Sequence, residues 1–189
     1  MKIKWLIVAL ALMLAFSIAC TSNRNKAGNL KDDTVKNALA QAGYDDVRVD
    51  IDNDKGVVTL NGNVKSQEDK SRAEQVARSV AAKYVVANEL GVRPEGAEGE
   101  ARKVESNLDD AIKSDWKALE AKMSWENQHI NADVKNGVLT LKGDVDTPGQ
   151  RAEVEKAAAK LPHVQQVVNE LEVKSAKHSK KAASQTASD

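Results

Sequence analysis

Few side chains in this chain are of types that do chemistry, and their spacing argues against most of it. Asp50, Asp52 and Asp54 stand at alternate positions, the spacing at which a calcium loop presents its first oxygen ligands. Such a loop also needs a Gly and a closing Glu where Lys55 and Asn61 stand, so the three acids read as the cover of an exposed strand face and turn. His129, His163 and His178 are far apart and lack spaced partners, and Cys20 is the only cysteine. That leaves neither a metal set nor an internal disulfide. No Ser-His-Asp order and no G-x-S-x-G elbow occurs, and the expectation is no enzyme, no metal and no cofactor. Cys20 stands alone directly behind an apolar segment, and that setting decides how it is read.

What places Cys20 is the segment ahead of it. Lys2 and Lys4 precede an apolar run from Trp5 to Ile18, too short for an ordinary membrane span and right for a secretory signal. Ser17-Ile18-Ala19-Cys20 resembles a bacterial lipobox, in which the bond before Cys is cut and the Cys acylated. Ser17 stands where that pattern prefers Leu, and Ser-x-Ala would also serve an ordinary signal peptidase at the same bond. Ordinary cleavage would strand a reactive thiol at an exported N-terminus, which favours acylation. Thr21 rather than Asp follows the Cys, which resembles the pattern of lipoproteins sent on to the outer membrane. The expected location is therefore outside the cytoplasm, lipid-anchored at the outer membrane and facing the periplasm.

The elements behind this anchor come as a duplicate. Gly56-Val57-Val58-Thr59-Leu60-Asn61-Gly62-Asn63-Val64 returns as Gly137-Val138-Leu139-Thr140-Leu141-Lys142-Gly143-Asp144-Val145, at an offset of 81 that holds to Val92 and Val173. A repeat that keeps glycines and alternating apolar positions while its charges drift keeps a backbone shape. Each copy reads helix, hairpin, helix, strand. Val47, Val49 and Ile51 alternate, as do Val58, Leu60 and Val64 beyond the turn, which predicts a β-hairpin. Asn136-Gly137 predicts a type I′ turn, two residues shorter than the first copy's. Ser66 and Thr147 stand as N-caps, with Pro148 at the first helical position. The fold class is α+β: two tandem α-β-β-α-β modules, each a three-stranded mixed sheet with both helices on one face. The expected division is a signal peptide at 1–19, a lipidated Cys and polar tether at 20–29, modules at 30–92 and 107–173, a linker at 93–106, and a basic, disordered tail at 174–189. With 3% aromatic residues, each module has a core of small side chains, and contact between them matters for stability.

A doubled G-V-x-T-L-x-G-x-V, a small-residue helix and a closing V-x-N-x-L-x-V resemble the BON domain, named for bacterial osmotic-shock and nodulation proteins. With signal and lipobox, the chain looks like the dual-BON outer-membrane lipoproteins. The resemblance implies a role in envelope integrity through contact with anionic phospholipid. The first copy departs from the pattern at Gly91, which weakens its last strand.

Gly62 and Gly143 fall on the inward face of the second strand of each copy, between core positions, and are expected to permit close approach of helix to sheet. Asn88 and Asn169 share the parity of core positions, so each buried amide is expected to bond to backbone. The copies differ most in their first helix. The second runs from Asn107 to about Met123, with Trp116 and Met123 at helical spacing, Lys113 and Lys117 beside them and Trp125 beyond. Ile112, Trp116, Leu119 and Met123 fit the core face of that helix, the favoured reading for Trp116, whereas Trp125, in a polar stretch, is expected to be exposed. Trp116, Met123, Trp125, Lys113 and Lys117 are the candidate membrane or partner contact. Electrostatics supply little more. The modules carry 9 basic against 11 acidic and 8 against 12 residues, and only the tail, with four Lys against Asp189, is basic. Nothing here fits nucleic acid. The expected partners are the membrane through acylated Cys20, an anionic phospholipid surface, or an envelope protein; the alternative to lipid binding is a periplasmic adaptor or chaperone-like stress protein.

Overall fold

The computed structural model describes residues 29–123, 125 and 129–174. The signal segment, Cys20, the tether up to residue 28 and the tail after Lys174 lie outside them. The first module runs α1 (Asp32–Gln41), β1 (Arg48–Asp52), β2 (Val57–Val64), α2 (Gln67–Val80) and β3 (Val85–Val92). The second runs α3 (Glu98–Lys122), β4 (His129–Lys135), β5 (Val138–Val145), α4 (Pro148–Ala158) and β6 (Gln166–Val173). In each sheet the hairpin is antiparallel and the last strand pairs parallel to its middle strand. A parallel pair demands a crossover, which α2 and α4 supply.

Local chemistry sets the ends. Gly43, at φ +85°, lets the Tyr44 amide turn back to the Leu39 carbonyl at 2.9 Å and closes α1. Ser66 accepts from the Asp69 amide at 3.1 Å to open α2, and Thr147 with Gln150 forms a full capping box over α4. Asn136 and Gly137 both take positive φ, 49° and 81°, as a type I′ turn requires. The cores then fill from one face of each sheet: Val58, Leu60, Val86 and Leu90 against Val35, Leu39, Ala73 and Ala77, and Leu139, Leu141 and Leu171 against Ile112, Trp116, Val154 and Ala158.

Two expectations change. α3 begins at Glu98, well before Asn107, so most of the segment expected as a linker is helix. Glu98 and Glu100 in its first turn complement the helix dipole. Glu105 accepts from the Val92 amide at 2.7 Å and pairs with Arg93, tying this stretch to the end of β3. The glycines differ as well. A Cβ on Gly62 would meet the Asp46 carbonyl oxygen at 3.2 Å, and one on Gly143 would overlap the His129 carbonyl oxygen. It is the start of the first strand, crossing over the twisted hairpin, that excludes a side chain there, not a helix.

The modules pack against each other through the sheet faces their helices leave bare. Val57 and Ala87 meet Val138 and Val168, and the offset of 81 relates Val57 to Val138 and Ala87 to Val168. The contact is thus an approximate two-fold. Its rim is charged: Lys55 pairs with Glu170 at 2.6 Å and Lys135 with Glu89 at 3.1 Å.

Candidate functional site

Beside this contact, α2 and α4 wall a groove of about 690 Å³ whose floor is β3 and β6, the end strands of the two sheets. That volume falls in the range of ligand sites, ~300–1,000 Å³. Each wall carries the same triad. Asn88 donates from Nδ2 to the Lys70 carbonyl at 2.9 Å and to the Glu74 carboxylate at 3.1 Å. Asn169 donates from Nδ2 to the Arg151 carbonyl at 3.3 Å and to the Glu155 carboxylate at 2.8 Å. In both, the Asn side-chain oxygen accepts from the amide two residues on, Leu90 or Leu171. The amide thus pins an end strand to its crossover helix and fixes a carboxylate one helical turn beyond the cation.

Lys70 is the unusual member, 6% exposed. Its Nζ donates across the module contact to the Asn136 carbonyl at 3.1 Å, and Asn136 Nδ2 donates back to the Glu89 carbonyl at 2.7 Å. Burial holds the Lys70 amine below its ordinary pKa, against the pull of Glu105, Glu74 and Asp109. Lys55 moves the other way, raised first by its bond to Glu170. A lowered lysine leaves the unfolded chain holding more protons between the folded-state pKa and 10.5, so stability rises with pH across that window. Lys55 keeps its contribution below 10.5 and loses it as pH climbs through its raised value. Urea melts against pH should therefore show an alkaline rise below 10.5 that Lys70→Met abolishes; a rise that survives the substitution belongs to another group.

Of the residues singled out around the second module's first helix, the tryptophans are turned into the core and only the lysines face outward. Trp116 and Trp125 are 4% and 6% exposed, with ring centroids 6.1 Å apart and planes tilted by 31°, and Met123 is half-buried against the same core. The expectation that Trp125 is exposed fails because the chain after α3 turns its indole back onto Trp116. The Trp125 amide bonds to the Glu120 carbonyl at 3.3 Å. Lys113 and Lys117 stay on the exposed side of α3, Lys113 at 3.8 Å from Asp110.

The groove's own residues carried a signal that went unused: Lys70 with Glu74 returns as Arg151 with Glu155 at the same offset of 81. The groove presents hydrogen-bonding groups of both signs, Lys70 and Arg151 with Glu74 and Glu155. Among the described residues no group of three His, Cys, Asp or Glu is placed to hold a metal ion. No helix among them is long and apolar enough to cross a membrane.

The family model of the BON domain matches residues 32–94 and again 105–175, each span taking in one helix-walled sheet with its Asn-centred triad. The chain belongs to the BON domain family. A curated relative, osmotically-inducible protein Y of Escherichia coli strain K12, is 32% identical over 160 residues, covering 81% of this chain and 78% of its own length. A solved structure of CdsD, a structural protein of the type III secretion system of Chlamydia trachomatis, overlaps 78% of this chain and 95% of that one at 12% identity and a TM-score of 0.31, too low to argue from. Both BON domains retain their glycine-bearing hairpins, so what the repeat preserves is the hairpin crossing and the strand-to-helix pin, with Lys70 and Arg151 free to differ.

Proposed function

We propose that this chain is an exported, non-enzymatic envelope protein of the osmotic-stress type, anchored by acylated Cys20, whose BON domains bind phospholipid surfaces and support envelope integrity. The observation that carries it is the similarity of both domains to a protein named for osmotic induction, in a chain whose apolar leader ends on Ser17-Ile18-Ala19-Cys20. The geometry adds one point. Because the sheets face each other, the helices face outward, and α3 offers Lys113 and Lys117 to an anionic surface. With both indoles buried, this contact is electrostatic, about 1 kcal/mol per Lys near the surface and screened by salt. The acyl chains supply most of the affinity.

Flotation with phosphatidylglycerol and with phosphatidylcholine vesicles tests both parts. The acylated mature chain should float with either lipid at any salt. The Cys20→Ser chain should float weakly, with phosphatidylglycerol alone and at low salt, and Lys113→Glu with Lys117→Glu should abolish that. An acylated-strain product whose mass lacks the lipid sinks the anchor. A Cys20→Ser chain that never floats sinks the domain-to-lipid contact and shifts the role to a protein partner.

A further inference from the structure

The two-fold between the modules fails at the pair Val85 and Gln166, and among the described residues the failure leaves part of a strand edge unpaired. β3 and β6 each end their sheet, so each turns one row of backbone groups away from its partner strand. On β3 that row is mended from across the contact: Gln166 donates from Nε2 to the Val86 carbonyl at 2.7 Å and accepts from the Asn88 amide at 3.1 Å. A single side-chain amide thus imitates one rung of a neighbouring strand. The offset of 81 places Val85 where the reciprocal glutamine would stand. Val85 cannot form such a rung, and it is 49% exposed, one of two large apolar side chains so exposed among the described residues. The Val167 carbonyl and the Asn169 amide, the counterparts of the Val86 carbonyl and the Asn88 amide, therefore face the groove without a Gln166 of their own, while the Asn169 carbonyl accepts from Arg151 at 2.9 Å.

We infer that the groove takes an extended peptide segment of another protein, added as a strand along the edge of β6 at the Val167 carbonyl and the Asn169 amide, with an apolar side chain against Val85. The chemistry matches at each point. An unpaired edge offers main-chain hydrogen bonds to any extended peptide, and alternate pockets select its side chains. A peptide lying there runs between walls of both signs, Lys70 and Arg151 with Glu74 and Glu155, so a polar segment of mixed charge with alternating apolar residues fits better than a uniformly anionic surface. The site is separate from the α3 lysines of the lipid reading, and either can hold without the other.

The test uses the mature chain carrying Cys20→Ser. The probe is a synthetic octapeptide of alternating Val and Thr with charged ends, beside a twin N-methylated on alternate amides. The twin has the same apolar content and cannot pair along that edge. Titration followed by ¹⁵N amide shifts should move Val85, Val167 and Asn169 with the first peptide. The twin should bind about tenfold more weakly, the loss of two backbone hydrogen bonds. Val85→Gln should install the missing rung and cut affinity by a similar factor, with the melting temperature unchanged or raised. Equal binding of the two peptides overturns the inference in the unaltered chain, whatever the variant does. So does a Val85→Gln protein that binds as before, or phosphatidylglycerol vesicles that move these amides when the peptide does not.

Discussion

Gly143→Ala should destabilise the second BON domain by on the order of 4 kcal/mol, while Gly62→Ala costs the first about 1–3 kcal/mol. Both glycines hold strongly positive φ, 117° and 130°, which an L side chain adopts only under strain. The difference lies in what a methyl group would meet. At Gly62 the Asp46 carbonyl oxygen is 3.2 Å from the built Cβ and sits ahead of β1, where the chain can yield. At Gly143 the His129 carbonyl is backbone of β4 itself, paired alongside β5, so the overlap is relieved only by prying the hairpin open. A small module has only a few kcal/mol to lose. Trp116 and Trp125 both lie in the second domain, Trp5 precedes Cys20, and the two tyrosines, Tyr44 and Tyr84, lie in the first domain, so the long-wavelength tryptophan band of the near-ultraviolet circular dichroism of the mature chain reports the second domain. Gly143→Ala should erase the signal at room temperature and Gly62→Ala should leave it. Equal damage at the two sites would mean that the φ requirement, common to both, outweighs the clash.

Those glycines also show where the sequence was legible. Alternation, caps and turn chemistry are local, so the hairpins, crossover helices and mixed sheets could be read from spacing alone. That Gly62 and Gly143 sit on the inward face was readable by parity; that the first strand rather than a helix crosses them depends on hairpin twist, which spacing does not encode. Trp125 misled for a related reason. Its neighbours Glu126, Asn127 and Gln128 are polar, but burial was decided by Trp116 nine positions earlier, after the chain doubled back. The groove was the least legible part, because it belongs to neither module. Its triads repeat visibly, yet only the two-fold packing of bare sheet faces sets them opposite one another and sends Gln166 across to β3.

Trp116→Ala should cost about 3–5 kcal/mol, the range for emptying a large aromatic from a packed core, and should unfold the second domain without taking the first with it. The indole packs with Ile112, Leu139 and Leu141 in the core and lies against Trp125, ring centroids 6.1 Å apart. Trp125→Ala should be comparable. The double variant should cost less than the sum by about 0.5–1.5 kcal/mol, since the pair's own attraction is lost once and not twice. What the first domain loses when its partner melts is limited by the contact between them. Four small apolar side chains are uncovered, Val57 and Ala87 on its side. The ion pairs at Lys55 and Glu89 are partly solvated and worth at most about 1 kcal/mol each. Lys70 gains rather than loses, since its amine returns to water. Far-ultraviolet circular dichroism of Trp116→Ala should therefore keep roughly half of its amplitude and melt once more at higher temperature. A single transition that removes the whole signal would show instead that the sheet-to-sheet contact holds the first domain together. The groove and its bare β6 edge would then exist only while both domains are folded.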